Sequence, residues 1–134
     1  MKTICIDFDG VIYKNLVYQG TTTIKGSPIE GAKVALQELS RDYKIVINSS
    51  RFETDEGMDA VREWLIENDM DYELSKFKPT AHIYLDDRGI QFQGDWTKSI
   101  QDIKSFVQWQ EGQKRQIRRN KREFGWMRIR TIKE

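Results

Sequence analysis

The stretch that decides the fold lies near the start of the chain and reads Thr3-Ile4-Cys5-Ile6-Asp7-Phe8-Asp9-Gly10. Its first six residues form an apolar, β-favouring run, which is typical of a strand buried in an α/β sheet. Asp7 and Asp9 are two positions apart, so their side chains leave the same face while the chain stays extended. Gly10 then lets the backbone turn away. We therefore expect two carboxylates together at the end of the first strand.

Further along, short apolar runs alternate with helical patterns. The apolar runs predict strands, and the helices are indicated by apolar residues at helical spacing, two of them after a start signal. The predicted elements are strands at 3–8, 44–49, 72–76 and 82–86, and helices after Ser27, after Thr54 and over 96–110. This alternation predicts an α/β fold in which helices cover both faces of a parallel sheet, as in a Rossmann-like three-layer α/β/α sandwich.

Length and composition indicate one folded domain. The chain has 134 residues, of which 38% are hydrophobic and 32% charged, close to globular averages. We predict a domain over 1–112 with a short flap at 13–25, followed by a basic extension over 113–134. No apolar stretch approaches the roughly 20 residues of a membrane span, and the single cysteine, Cys5, excludes an internal disulfide. We expect a cytoplasmic protein without membrane contact.

The net charge of +1 hides an uneven distribution. Residues 114–134 contain nine Lys and Arg against two Glu, so they carry +7 and the remaining residues carry −6. Cations mixed with Phe124 and Trp126 are a combination that single-stranded nucleic acid binders use. The same segment could instead pack its apolar residues on the domain and leave its charges in solvent. A nucleic acid contact and a packing role both remain open at this point.

Three of the predicted strands end in polar residues. They are Asp7 and Asp9 at the end of the first strand, Ser49-Ser50-Arg51 at the end of the second, and Asp86-Asp87-Arg88 at the end of the fourth. In open α/β sheets, ligands bind beyond the carboxyl ends of the strands. Bringing these acids together is costly unless protons or a hard cation neutralise them, and Mg²⁺ prefers such oxygen ligands. With one histidine and one cysteine, the chain offers no material for a zinc site or a Ser-His-Asp triad.

These residues carry a family resemblance. The segment Ile4-Cys5-Ile6-Asp7-Phe8-Asp9-Gly10-Val11-Ile12 resembles the first motif of the haloacid dehalogenase superfamily, an apolar strand followed by Asp-x-Asp-x, Thr or Val, and another apolar residue. Ser49 looks like the second motif of that family, and Asp86-Asp87 looks like its acidic fourth motif. The motifs follow in the family's order, and the resemblance covers about residues 3–110. It implies a small member without a cap domain.

The resemblance implies a role for each matched residue. Asp7 would be the nucleophile that attacks a phosphoryl group, and Asp9 would be the general acid and base. Ser49 would bind the transferring phosphate. Asp86 would hold Mg²⁺ together with Asp7 and the backbone carbonyl of Asp9, and Asp87 would act on the metal directly or through water.

The family's third motif is a lysine that neutralises phosphate charge. Lys78 is the best match, although only eight residues separate it from Asp86, so the chain must fold back to bring both to one site. Lys76, Arg51 and Arg88 are alternative cations. We place Lys78, Arg51 and Ser50 with Ser49 as phosphate-binding candidates.

These motifs predict an Mg²⁺-dependent phosphomonoesterase that works through an aspartyl-phosphate. Its substrate would be a phosphorylated small molecule, such as a nucleotide or sugar phosphate, or a nucleic acid end. Transfer of the phosphoryl group to an acceptor other than water shares the same covalent step. The alternative from another class is a nucleic-acid-binding module, in which a phosphatase-like scaffold supports the basic extension.

Overall fold

The computed structural model describes residues 1–15, 18–112 and Arg119. Within them, four parallel strands form one sheet in the order β3-β2-β1-β4. The strands are β1 (Lys2–Ile6), β2 (Tyr43–Asn48), β3 (Glu73–Ser75) and β4 (Ile83–Leu85). Each overlaps one of the four predicted strands. The predicted α/β class with a parallel sheet is therefore confirmed.

Two helices complete the part of the chain around the sheet, α1 (Ala32–Leu39) and α2 (Asp55–Glu67). Their apolar side chains share one hydrophobic core with alternate residues of the two central strands, and this cluster includes Ile4, Ile6, Ile45, Ile47, Leu36, Val61, Trp64 and Leu65. Because side chains of a strand alternate between faces, these four isoleucines mark one face of the sheet. Cys5 and Val46 are buried on the opposite face.

The first helix begins later than its sequence suggests. Ser27 and Pro28 predict a start there, but α1 begins at Ala32, after Gly31 with φ 85°. Pro28 forms an antiparallel bridge with Tyr13, and the N–H of Ile29 donates to the carbonyl of Ile12 at 2.8 Å. The backbone of residues 28 and 29 is thus used to anchor the flap (residues 13–25) and is not available for a helical turn.

The second helix begins where it was predicted. Thr54 is its N-cap, and the Thr54 hydroxyl accepts a hydrogen bond from the N–H of Gly57 at 3.0 Å. Asp55 and Glu56 lie in the first turn, where acidic side chains interact favourably with the helix dipole. The start of α2 is therefore encoded locally.

The connection from β3 to β4 crosses the sheet without a helix. The two strands lie at opposite edges, about 14 Å apart at the usual strand spacing, and the seven residues 76–82 can span about 23 Å when extended. Tyr84 holds this segment, since its hydroxyl donates to the carbonyl of Pro79 at 2.7 Å and accepts from the N–H of Ala81 at 3.0 Å. Because the chain crosses the sheet here, Lys78 can lie near Asp86 although only eight residues separate them.

The sole histidine ties the crossing segment to the first strand. His82 accepts a hydrogen bond at Nδ1 from the N–H of Thr3 at 3.0 Å, and its own N–H donates to the carbonyl of Thr3 at 2.9 Å. These contacts lie at the start of β1 and β4, at the end of the sheet away from the acidic motifs. His82 is thus a structural residue.

The chain divides into two units, the first spanning Met1–Asp87 and the second beginning at Arg88. The second unit contains α3 (Trp96–Lys104), capped by Asp95, which is shorter than the helix predicted over 96–110. The predicted boundary at 112/113 and the basic extension, apart from Arg119, lie outside the described residues. No helix among the described residues is long and apolar enough to cross a membrane.

Candidate active site

The acidic residues after β1 and β4 meet because these strands are neighbours. The N–H of Asp7 donates to the carbonyl of Leu85 at 2.9 Å, which continues the pairing of the two strands beyond their last residues. The side chains of Asp7 and Asp87 are hydrogen-bonded to each other. Two of the predicted metal ligands, from distant parts of the sequence, therefore lie side by side.

Gly10 makes room for this pair. Its φ of +79° is in the region that residues with a side chain rarely adopt, and a Cβ built at this position would overlap the carboxylate of Asp87. The turn after the Asp-x-Asp sequence thus requires glycine for two separate reasons, backbone conformation and space. The close approach of Asp87 to the backbone of residue 10 depends on both.

Asp7 is in an environment that disfavours its charged form. Burial raises the pKa of Asp7 to about 7, and the neighbouring carboxylates of Asp87 and Asp9 act in the same direction. A hydrogen bond from the N–H of Phe8 to Asp7 Oδ1, 2.9 Å long, opposes this effect. A carboxylate in this position gains from any cation placed beside it.

A cavity of about 170 Å³ opens beside Asp7. Lys78 and Asp86 also line it, so the structure brings together three of the predicted site residues at this point. The ammonium group of Lys78 lies 4.6 Å from the centre of the Tyr84 ring. Contact with the ring face holds the cation over the sheet, and the crossing segment 76–82 carries it there.

Asp9 has a different partner from Asp7. The Arg51 guanidinium binds it with two hydrogen bonds, Nε to Oδ2 at 2.8 Å and NH2 to Oδ1 at 2.9 Å. The third nitrogen of Arg51 donates to backbone carbonyls of the flap, those of Gly20, Thr21 and Thr23, at 2.9–3.2 Å. Arg51, which the sequence offers as a phosphate ligand, is committed here to Asp9 and to the flap.

Arg51 is also enclosed by aromatic rings. Its side chain is 1% exposed, and its guanidinium carbon lies 5.3–5.9 Å from the ring centres of Phe8, Tyr13 and Tyr18. A guanidinium stacks well on aromatic faces because it is planar and weakly hydrated. Burial at this level requires that the charge be paired, which explains why Asp9 and three carbonyls surround it.

The two serines after β2 occupy contrasting positions. Ser49 is 5% exposed, and its hydroxyl oxygen accepts a hydrogen bond from the N–H of Arg51 at 3.1 Å. It thereby caps the short 3₁₀ turn Ser50–Glu53. Ser50 is exposed. Of the other candidate cations, Lys76 is half-exposed and lies 3.4 Å from Asp55, and Arg88 belongs to the second unit.

The donor set at Asp7 fits a hard divalent cation. Asp7 and Asp87 are close enough to share a hydrogen bond, and Asp86 lines the adjoining cavity. Mg²⁺ in proteins is commonly held by one or two carboxylates, with water and phosphate oxygens completing the shell. In the part of the chain that the structure describes, no group of three or more His, Cys, Asp or Glu side chains converges on one point. Asp7 and Asp87 are the two carboxylates of this site that lie side by side.

Asn48 and Tyr84 also line the cavity, and the sequence did not predict them as site residues. Asn48 ends β2, and its amide group donates to the carbonyl of Ser75 at 2.9 Å, which joins the ends of β2 and β3. Its position one residue before Ser49 was a usable signal, because a polar side chain at the end of a buried strand needs a partner. Tyr84 lies within an apolar run and carries no comparable signal.

Comparisons with known proteins add no further assignment: no family model matches the chain, and no match is found among curated proteins or solved structures.

Proposed function

We propose that this chain is an Mg²⁺-dependent phosphomonoesterase with Asp7 as its nucleophile, built as a Rossmann-like three-layer sandwich of the haloacid dehalogenase type. The observation that carries the proposal is the surroundings of Asp7. Asp7 lines a cavity that Lys78 also lines, and its carboxylate lies beside a second one, that of Asp87. A nucleophilic carboxylate, a phosphate-neutralising cation and oxygen ligands for a metal are the groups that phosphoryl transfer through an aspartate needs.

The reaction has two displacements at phosphorus. In the first, a carboxylate oxygen of Asp7 forms a bond to phosphorus, the bond from phosphorus to the substrate oxygen breaks, and Asp9 gives its proton to that leaving oxygen. In the second, Asp9 takes a proton from water as the water oxygen bonds to phosphorus. The bond between phosphorus and Asp7 then breaks, which releases inorganic phosphate and restores both aspartates to their starting forms.

The remaining groups handle charge and position. Lys78 would neutralise the phosphate oxygens, and the Ser49 hydroxyl would donate to one of them. Asp7, Asp87 and the backbone carbonyl of Asp9 are the groups that would hold Mg²⁺, and Asp86 lines the cavity beside them. When bound, the metal ion supplies charge neutralisation for the phosphoryl group and for the crowded carboxylates.

Release of phosphate from an aryl phosphate tests the proposal. The full-length protein is incubated with p-nitrophenyl phosphate in Mg²⁺ or in EDTA, beside Asp7→Asn and the control Asp59→Asn, an exposed acid on α2. We expect release that requires Mg²⁺, survives in Asp59→Asn and falls at least about 10³-fold in Asp7→Asn, the scale of losing a nucleophile. Activity that persists in Asp7→Asn or in EDTA would contradict the proposal.

The distribution of charge bears on the substrate. The +7 carried by residues 114–134 supports a phosphorylated nucleic acid end as one substrate class, because Lys and Arg attract the phosphate backbone. Oligonucleotides with a 3′- or 5′-phosphate are therefore compared with mononucleotides and sugar phosphates. A preference for oligonucleotides that weakens as salt is raised would support this class, and equal rates on all substrates would exclude it.

A further inference from the structure

The guanidinium of Arg51 binds two parts of the chain at once. It holds both carboxylate oxygens of Asp9 and the flap carbonyls of Gly20, Thr21 and Thr23. We propose that Arg51 is a positioning residue that couples the flap to Asp9, so that the acid–base group is correctly oriented only while the flap is in place. This inference rests on the proposed function, because it assigns a role within that reaction.

The hydrogen-bond geometry leaves Asp9 able to react. A carboxylate has about four lone-pair sites, and the two bonds from Arg51 occupy one on each oxygen. The side chain of Asp9 is 21% exposed, whereas that of Arg51 is 1% exposed. Asp9 therefore keeps lone-pair sites beyond those that Arg51 uses, and its side chain is partly accessible to a leaving-group oxygen or a water molecule. Arg51 approaches from the interior and fixes the plane of the carboxylate.

The rigid guanidinium plane explains why the flap and Asp9 are coupled, because Nε and NH2 bind Asp9 while NH1 binds the flap. The two N–H bonds of NH1 are shared among the three flap carbonyls, and Nε and NH2 each donate to one oxygen of Asp9, so one planar group reaches two separate segments. A buried guanidinium that lost the flap carbonyls would leave N–H donors unpaired, which is unfavourable in the protein interior. The guanidinium would then move towards other acceptors or solvent and take the Asp9 carboxylate out of its orientation. Arg51 thus serves one structural unit composed of Asp9 and residues 20–23.

The substitution Arg51→Lys distinguishes the positive charge of this side chain from its hydrogen-bond geometry. An ammonium group keeps the positive charge, but it cannot make two parallel bonds to a carboxylate while reaching three carbonyls. The matched control is Arg62→Lys, since Arg62 is an exposed arginine paired with Asp59 at 3.4 Å. Circular dichroism tests whether both variants are folded.

The decisive readout is the dependence on the leaving group. We compare kcat/KM for p-nitrophenyl phosphate, whose leaving group departs without a proton, with kcat/KM for an alkyl phosphate, whose leaving group needs one. Misplacing a general acid should reduce kcat/KM about 100-fold for the alkyl phosphate and less than about 3-fold for p-nitrophenyl phosphate. Arg62→Lys should change neither value. If the role of Arg51 were purely structural, Arg51→Lys would lower kcat/KM for both substrates by the same factor.

Hydrogen exchange in the flap provides a second readout that does not need activity. Arg51→Lys should speed amide exchange in residues 18–25. Asp9→Asn should do the same, because it weakens the pair that holds Arg51 in position, whereas Asp7→Asn should leave this exchange unchanged. The Asp9→Asn comparison keeps the test decisive even if Arg51→Lys does not fold.

The outcomes separate this inference from the proposed function. A selective loss on the alkyl phosphate together with faster exchange in the flap supports the coupling. The coupling is overturned if the wild-type protein is active but Arg51→Lys loses the same factor in kcat/KM on both substrates. It is also overturned if amide exchange in the flap is unchanged in Asp9→Asn. If the wild-type protein releases no phosphate from any substrate in an Asp7-dependent way, the proposed function itself fails and the role of Arg51 in it fails as well.

Discussion

Asp7 and Asp87 come from opposite ends of the first unit, and their carboxyl groups are hydrogen-bonded to each other. Their contact depends on β1 and β4 being neighbours and on Gly10 having no side chain. Two carboxyl groups at hydrogen-bond distance cannot both be ionised at low cost, so the pair holds a proton or a cation. This requirement links the stability of the protein to pH.

The stability of the metal-free protein should depend on pH through Asp7. Its pKa of about 7 in the folded state lies above the ordinary value of 3.8, so between these values the folded state binds more protons than the unfolded chain. The free energy of unfolding from this group therefore falls as pH rises through that window. In EDTA, Asp7→Asn should melt a few degrees above the wild type at pH 8, and the difference should shrink towards pH 4.

Asp59→Asn is the control for this prediction, because Asp59 is exposed. Its melting temperature relative to the wild type should show no comparable trend with pH. A constant advantage of Asp7→Asn from pH 4 to pH 8 would show that the effect does not arise from titration of the Asp7 carboxyl.

Gly10→Ala should disrupt the acidic pair. The new methyl group would overlap the carboxylate of Asp87, and the backbone has φ +79°. Gly31→Ala is the control that measures the cost of the backbone conformation alone. Gly31 has φ +85°, and a methyl group there would meet nothing within 4 Å. We expect denaturant unfolding to show a loss of about 1 kcal/mol for Gly31→Ala and about 2–4 kcal/mol for Gly10→Ala. Equal losses would mean that Asp87 moves aside freely.

Lys78→Met should reduce phosphate release without unfolding the protein. Lys78 is exposed, contacts the face of the Tyr84 ring and lines the cavity beside Asp7. Removing one charge that stabilises a phosphoryl transition state lowers kcat by about 10²–10³-fold. Lys76→Met, two residues earlier and paired with Asp55, is the control and should retain activity. If the Lys76 variant loses activity and the Lys78 variant does not, the lysine assignment is reversed.

Thr54→Ala should destabilise the fold through α2 alone. The Thr54 hydroxyl accepts the N–H of Gly57, and loss of an N-cap costs about 1 kcal/mol. Thr22→Ala, at an exposed position in the flap, is the comparison and should lie within about 0.5 kcal/mol of the wild type. Urea unfolding monitored by circular dichroism measures both. A loss of phosphatase activity in the folded Thr54 variant would indicate an unexpected link between the α2 start and the site.

Much of the fold could be predicted because its signals are local. The strands were visible as apolar runs, and the start of α2 was visible at Thr54, since a hydroxyl before an apolar helical pattern satisfies free N–H groups at short range. The predicted start of α1 after Ser27 was wrong, because the signal that decides it is not local. Pro28 and Ile29 pair with Tyr13 and Ile12, and this partner segment cannot be read from the local pattern.

The sequence by itself determined which chemical groups stand at the strand ends, because turns and strand ends are encoded within a few residues. Only the tertiary structure decided which of these groups meet. Arg51 reaches Asp9 across 42 positions, and Asp87 reaches Asp7 because β4 lies next to β1. Lys78 borders the cavity because the chain crosses the sheet between β3 and β4. Strand order and the path of a connection depend on packing between distant segments, and local sequence patterns do not carry that information.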